Sequence, residues 1–135
     1  MIAYLTRRVT FSAAHRLHSC ALSATENSTL YGKCNNAWGH GHEYALEITV
    51  RGPIDPRTGM ILNLRDLKAA MQEQIVDVLD HTHLNHDTPW LQTVNPTVEN
   101  LVIVCWQRLQ PLLGDLLYEV KLYETPNNWA VYRGE

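Results

Sequence analysis

No uninterrupted apolar stretch approaches the roughly 18 residues that a membrane-spanning helix requires, so no membrane partner is expected. Positive charge is not in excess either. Eleven Lys and Arg stand against fourteen Asp and Glu, a formal net charge of −3. A nucleic-acid coat or a lipid-surface patch needs a cationic face, so neither partner is expected. A few local Arg or Lys can still hold a small anionic substrate. Cysteine is scarce, with only Cys20, Cys34 and Cys105. An odd count without a secretory leader speaks against a disulfide framework. The opening MIAYLTRRV alternates apolar and polar residues and lacks the layout of a signal peptide, so a cytoplasmic location is expected. Linkers, repeats and low-complexity stretches are lacking, and 135 residues suit a single domain, 1–135.

What is present reads as alternating elements. Residues 3–13 mix β-branched and aromatic residues with polar ones and predict a strand. Residues 17–39 are polar, aperiodic and loop-like, and so long a loop in a compact domain points to function. Tyr44, Leu46, Ile48 and Val50 alternate with polar or small residues, the pattern of a half-buried strand. GPIDPRTG (52–59) is a turn leading to a short strand at 60–63. Asn63 caps a helix over 64–79, residues 80–96 form a second polar loop, and Thr97 opens a helix over 98–112 that Gly114 ends. Strands at 116–124 and 128–133 flank the turn TPNN. The class is α+β, antiparallel strands covered by two helices on one face. Such a small sheet has open edges, and pairing them with other copies is one way to manage them.

Seven histidines are many for this length, and their spacing matters more than their number. His40 and His42 in GHGH lead into a strand, where residues i and i+2 share a face and can offer two imidazoles to one cation. His15 ends the first strand, and antiparallel pairing would bring it beside them. Three neutral imidazoles with a fourth position free is the layout of a catalytic Zn²⁺ site, although imidazole also suits copper, iron and nickel. His83 or His86 could compete as the third ligand. Cys34, six residues before His40, has the wrong spacing for a ligand. A loop thiol near a cation can instead serve as base or nucleophile. Cys105 lies on an apolar helix face and reads as core. Asp80 and His81 form a carboxylate–imidazole pair, which with Cys34 makes a candidate proton-transfer set. Glu124, at a strand end, could accept two hydrogen bonds from an amino-imine edge or simply be solvated. Thr97 and Glu99 fit a helix cap with a first-turn acid.

FSAAHRL, GKCNNAWGHGHEY, IDPRTGMILNLRDLK, LDHTHLN, PTVENL and VKLYETPNNWAVYRGE occur in one order and spacing, and together they resemble the 6-pyruvoyl-tetrahydropterin synthases over residues 7–135. The resemblance implies a tunnelling fold (T-fold): a four-stranded antiparallel sheet with two helices on one side. It further implies three such units closing a barrel and two trimers stacking into a homohexamer, with active sites between subunits. The implied activity is a lyase of tetrahydrobiopterin-type biosynthesis. It converts 7,8-dihydroneopterin triphosphate to 6-pyruvoyl-tetrahydropterin and releases triphosphate. By position, His15, His40 and His42 would bind Zn²⁺, Cys34 would be the base, and Asp80 and His81 the relay. Glu124 would anchor the pterin with Thr97 and Glu99 close by, and Mg²⁺ would accompany the triphosphate. Arg16, Lys33 and Arg65 are candidates to hold that triphosphate.

Ala37–Trp38 departs from the Pro-Asn that many relatives carry before GHGH, and a bulky Trp38 there bears on substrate preference. A related reading is 6-carboxytetrahydropterin synthase of the 7-deazaguanine route, whose cysteine sits closer to HGH in a CxxxHGH arrangement. The longer CNNAWGHGH spacing favours the pyruvoyl enzyme. A non-catalytic zinc or pterin binder is a third reading, and a binder has no need of Cys34, Asp80 and His81. A guanine-nucleotide enzyme of the same fold, using Glu124 on a purine, fits the histidine set with Cys34 less well.

Overall fold

Two long strands frame the molecule, for which a computed structural model describes residues 1–135. β1 (Ile2–His15) and β2 (His40–Pro53) pair antiparallel end to end, from Ile2 opposite Pro53 to His15 opposite His40. β4 (Leu117–Thr125) pairs with the other side of β2, and β5 (Asn128–Tyr132) folds back on β4. The hairpin turn forms as expected, with Thr125 Oγ1 accepting from the backbone N–H groups of Asn127 and Asn128. β3 (Thr82–His83) lies parallel to β1, so the order is β3-β1-β2-β4-β5. The sheet thus has five strands where the family resemblance implies four, and β3 is not antiparallel. Two residues are too few to show any period, so sequence patterning misses β3.

The helices form where capping residues and apolar stripes place them. α2 (Leu64–Met71) begins at Asn63, whose side chain accepts from Arg65 N, and runs through a π-helical turn (Gln72–Val76) into α3 (Asp77–Leu79). α5 (Val98–Leu113) begins at Thr97, whose hydroxyl accepts from Asn100 N, and ends at Gly114 with φ +54°. Both rods lie on one face of the sheet. One cluster of 22 buried residues fills the space between, including Leu46, Ile48 and Val50 of β2, Leu67 and Met71 of α2, and Leu101, Cys105 and Leu109 of α5. Each fully buried aliphatic contributes roughly 1.5–3 kcal/mol. No helix is long and apolar enough to cross a membrane.

Three segments differ from the sequence expectation. The loop over 17–39 contains α1 (Ala24–Tyr31) and a 3₁₀ turn (Gly32–Asn35). α1 is polar on nearly every side and buries only Asn27, so it shows no amphipathic period. Its start is fixed by a capping box in which Ser23 and Glu26 satisfy each other's backbone N–H. Residues 60–63 form no strand, only a bend at 61–62, because Pro53 already ends β2 and no neighbouring strand offers a ladder. The loop over 80–96 contains β3, α4 (Leu84–Asp87) and a 3₁₀ turn (Pro89–Leu91). β1 and β2 also run past their predicted ends. For β2 this extension carries His40 and His42 into the ladder itself.

Candidate metal centre and active site

The register delivers the histidines. His15 faces His40 and Ala13 faces His42, so Phe11, Ala13 and His15 share the inner face with Tyr44, His42 and His40. Phe11 and Tyr44 stack with ring centroids 5.1 Å apart and form the apolar floor. Ala13 is small enough to leave room for the His42 ring. The ring centroids of His15, His40 and His42 lie 4.7–5.1 Å from one another. One ligand nitrogen from each lies within 4.8 Å of the others, and the Nε2 atoms of His15 and His40 are 3.1 Å apart. Nitrogens about 2.0–2.1 Å from a tetrahedral ion sit roughly 3.4 Å from one another, so the spacing suits a single first-row ion. His83 and His86 stack on each other, 4.3 Å between centroids, and lie outside this cluster.

The protonation pattern agrees with a ligand role. His15 is fully buried, and its Nδ1 donates to the carbonyl of Pro96 at 2.8 Å, which leaves the Nε2 lone pair facing His40. Tyr44 Oη lies 3.3 Å from the same Nδ1. Burial lowers the His15 pKa to about 4, reinforced by the neighbouring imidazoles and partly opposed by the Pro96 carbonyl. Burial and His42 lower the His40 pKa as well. A buried imidazole held neutral is ready to bind a metal without first losing a proton. His42 Nε2 and His40 Nδ1 are buried without a hydrogen-bond partner, a costly state for polar atoms. A bound cation would satisfy the orphaned His42 Nε2, so the residues fit the group.

The backbone at Gly39 packs closely against His15 and His83 beside this cluster. Gly39 has φ +81°, and a Cβ there would lie 2.7 Å from His83 Nε2 and 2.9 Å from the His15 carbonyl oxygen. Only glycine fits. His83 itself has a lowered pKa, mainly from burial and then His86, while Asp87 and a hydrogen bond to the Trp38 backbone act in the opposite direction.

The other candidate residues are distributed around the cluster. Glu124, near the end of β4, reaches within 3.9 Å of His15 Nε2. Cys34 sits in the 3₁₀ turn and lines an open cavity with Lys33 and His40. Asp80 and His81 bond each other, Oδ2 to Nδ1 at 3.0 Å. They also clamp β1: Ser12 N donates to Asp80 Oδ1, and His81 N donates to Ser12 O. The Ser12 N–H is the main cause of a lowered Asp80 pKa. His81 adopts φ +60°, the only non-glycine residue with positive φ, and its side chain is 83% exposed. It lines a cavity with His42 and Glu43, so within one chain Cys34 and His81 flank the metal cluster from different cavities. Thr97 acts as the cap of α5, with Glu99 in its first turn. Trp38 is 91% exposed. Cys105 is buried in the core, which pushes its thiol pKa up to about 12, and Cys20 is exposed.

Four residues carry structure that the sequence reading did not single out. Beyond His15 the chain has no strand neighbour, and asparagine amides complete its hydrogen bonding. Asn85 accepts from Arg16 N and donates to Arg16 O. Asn35 donates to Leu17 O, Asn95 accepts from His18 N, and Asn27 both accepts from Ser19 N and donates to Ser19 O. A carboxamide carries the same donor and acceptor as a peptide, so each one stands in for part of a missing ladder. No short motif marks this role, because the four amides come from four separate segments.

A family model described as 6-pyruvoyl tetrahydropterin synthase matches residues 4–135. The chain belongs to that family. It is 54% identical to a 6-pyruvoyl tetrahydrobiopterin synthase of Drosophila melanogaster, over 98% of this chain and 80% of the fly protein. It is 52% identical to the Homo sapiens protein of the same description, over 98% of this chain and 92% of that protein. The solved structure of Caenorhabditis elegans 6-pyruvoyl tetrahydropterin synthase superposes with a TM-score of 0.96 at 40% identity, covering 100% of this chain and 97% of the worm protein. The synthase-family fold, a T-fold, therefore accounts for the sheet with two helices on one face.

Proposed function

We propose that the chain is a zinc-dependent lyase that converts 7,8-dihydroneopterin triphosphate to 6-pyruvoyl-tetrahydropterin and releases triphosphate. One observation carries this reading: three imidazoles converge at metal-binding distance, with a thiol and a carboxylate in adjoining positions. His15, His40 and His42 would hold the ion, which supplies Lewis-acid polarisation of bound hydroxyls. Cys34, beside His40, would take a proton from the substrate side chain. Glu124 would orient the pterin by accepting from its amino-imine edge, close to the metal. Asp80 would hold the His81 ring through Nδ1, leaving Nε2 to exchange protons. Thr97 and Glu99 would complete the wall behind Pro96, whose carbonyl orients His15.

His81 and Cys34 line separate cavities in one chain, so their joint use would draw one of them from a second copy. This supports a site shared between subunits, in the hexamer of two stacked trimers that the family resemblance implies, within a cytoplasmic, single-domain protein. The free edges of β1 and β5 supply surfaces on which a barrel can close. Mg²⁺ would accompany the triphosphate.

The test is incubation of the zinc-loaded protein with dihydroneopterin triphosphate, with product identification. Release of triphosphate with a 6-pyruvoyl product is expected, and Cys34→Ala should keep zinc and lose about 10²–10⁴-fold in turnover. A carboxylated pterin with acetaldehyde would replace this reading with the carboxytetrahydropterin synthase. Loaded zinc without triphosphate release would mark a binder.

A further inference from the structure

The amide-tethered segment after His15 forms one wall of a cavity of about 380 Å³. Its lining includes Arg16, His18, His86, Gln92 and Thr93, and no Asp or Glu. The cavity therefore holds donors and no carboxylate that would repel an anion. Arg16 makes no ion pair. Its Nε donates to Asn35 O at 3.0 Å, and its two terminal nitrogens have no partner within the molecule. The fork is therefore held at its base with its bidentate end unused. His18 Nδ1 faces the Asn35 amide nitrogen at 3.2 Å and so accepts, which places the ring proton on Nε2 as a further donor.

The wall is rigid for a stated reason. Asn85, Asn35 and Asn95 hold the backbone of residues 16–18 from three sides, so the guanidinium and imidazole are presented by a fixed main chain. Donors held in advance lose little freedom on binding. The cavity also adjoins the candidate active site: Arg16 follows His15, Asn35 follows Cys34, and Ala37 lies in the wall. Lys33 and Arg65, the other candidates from sequence, are not among its lining residues.

We propose that this cavity is a phosphate subsite, taking phosphoryl oxygens on the Arg16 fork and the His18 ring. The oxygens belong either to the triphosphate arm of the substrate, which rests on the function proposed above, or to a free phosphate. The experiment titrates inorganic triphosphate into the full-length, zinc-loaded protein at low salt, comparing wild type with Arg16→Gln and Thr93→Asp. Zinc content and melting temperature are followed in each. At least a tenfold loss of affinity in both variants is expected, with Arg16→Lys losing less. Thr93→Asp sets a carboxylate in the cavity and leaves the Arg16–Asn35 contact alone, so it decides the matter if Arg16→Gln fails to fold. Unchanged affinity in the folded variants overturns the proposal. A parallel rise of KM for dihydroneopterin triphosphate assigns the oxygens to the substrate, whereas loss of triphosphate binding with unaltered KM assigns a free phosphate. A wild type that binds triphosphate through Arg16 but turns nothing over removes the proposed function and leaves the subsite standing.

Discussion

The candidate chemistry is divided between a ladder and loops that are built on different principles. The three imidazoles sit at the end of a fourteen-pair antiparallel ladder, where register fixes which residues face each other. Cys34, Asp80 and His81 sit on short turns, held by a few local hydrogen bonds and, at His81, by a left-handed backbone. The difference suits the two tasks. A metal site needs ligand atoms fixed to within a few tenths of an ångström, which paired strands supply. The proposed proton-transfer groups would have to reach a substrate and meet residues of another cavity, which exposed turns allow. The most disruptive way to test this division is to remove a ligand from the ladder. His42→Ala should lower metal affinity by more than about 100-fold, since even orienting partners of ligands cost 10–100-fold. The fold should persist, because Ala13 and Tyr44 already fill the neighbouring positions. Metal content after dialysis and a circular dichroism melt measure both, and full metal retention would remove His42 from the site.

A gentler perturbation is pH acting on the metal-free protein. The folded His15 has its pKa lowered to about 4 by burial, against 6.5 for the ordinary imidazole. Between those values the unfolded chain binds a proton that the folded chain refuses. The contribution of His15 is therefore complete above about pH 6.5 and is lost as pH falls through 4. His40 shifts in the same direction and adds to the slope. The expected loss is about 3 kcal/mol, read from denaturant midpoints at steps of pH, and His15→Gln should remove most of it. A flat profile would mean that water reaches the ring, contrary to its burial at the end of the ladder.

What the sequence discloses follows the same division. An alternation of two residues is a strong signal, so the strand pairing of His15 with His40 and His42 could be anticipated from FSAAHRL and GHGHEY alone. Asn63, Thr97 and Gly114 likewise mark helix ends by their chemistry. The tethers of the 16–19 segment escape such reading because Asn27, Asn35, Asn85 and Asn95 meet only after folding. α1 escapes because a helix that buries one asparagine has no apolar stripe. β3 escapes because its two residues are placed by the Asp80–Ser12 and His81–Ser12 bonds, not by their own propensity. The neighbourhood of Glu124 and His15 was likewise hidden, since it depends on where β4 ends beside β2.

The smallest expected effect is the most discriminating, because it separates stability from activity at one loop residue. His81 has φ +60°, where a side chain brings Cβ too close to the following carbonyl at a cost of roughly 1–2 kcal/mol. Its ring is mostly exposed, so packing does not compensate for this strain. Glycine removes the clash but adds freedom to the unfolded chain, which takes back part of the gain. It also forfeits the Asp80–His81 side-chain bond, which is exposed and worth little to the fold. The backbone bond from residue 81 to Ser12 O remains, so β3 stays attached to β1. His81→Gly should therefore raise the unfolding free energy by about 0.5–1 kcal/mol while turnover falls. A strained, exposed residue that the fold would gain by losing is a candidate for chemistry at its ring. If His81→Gly destabilised the protein and left turnover intact, the imidazole would be part of the scaffold and the loop would have no claim to the chemistry.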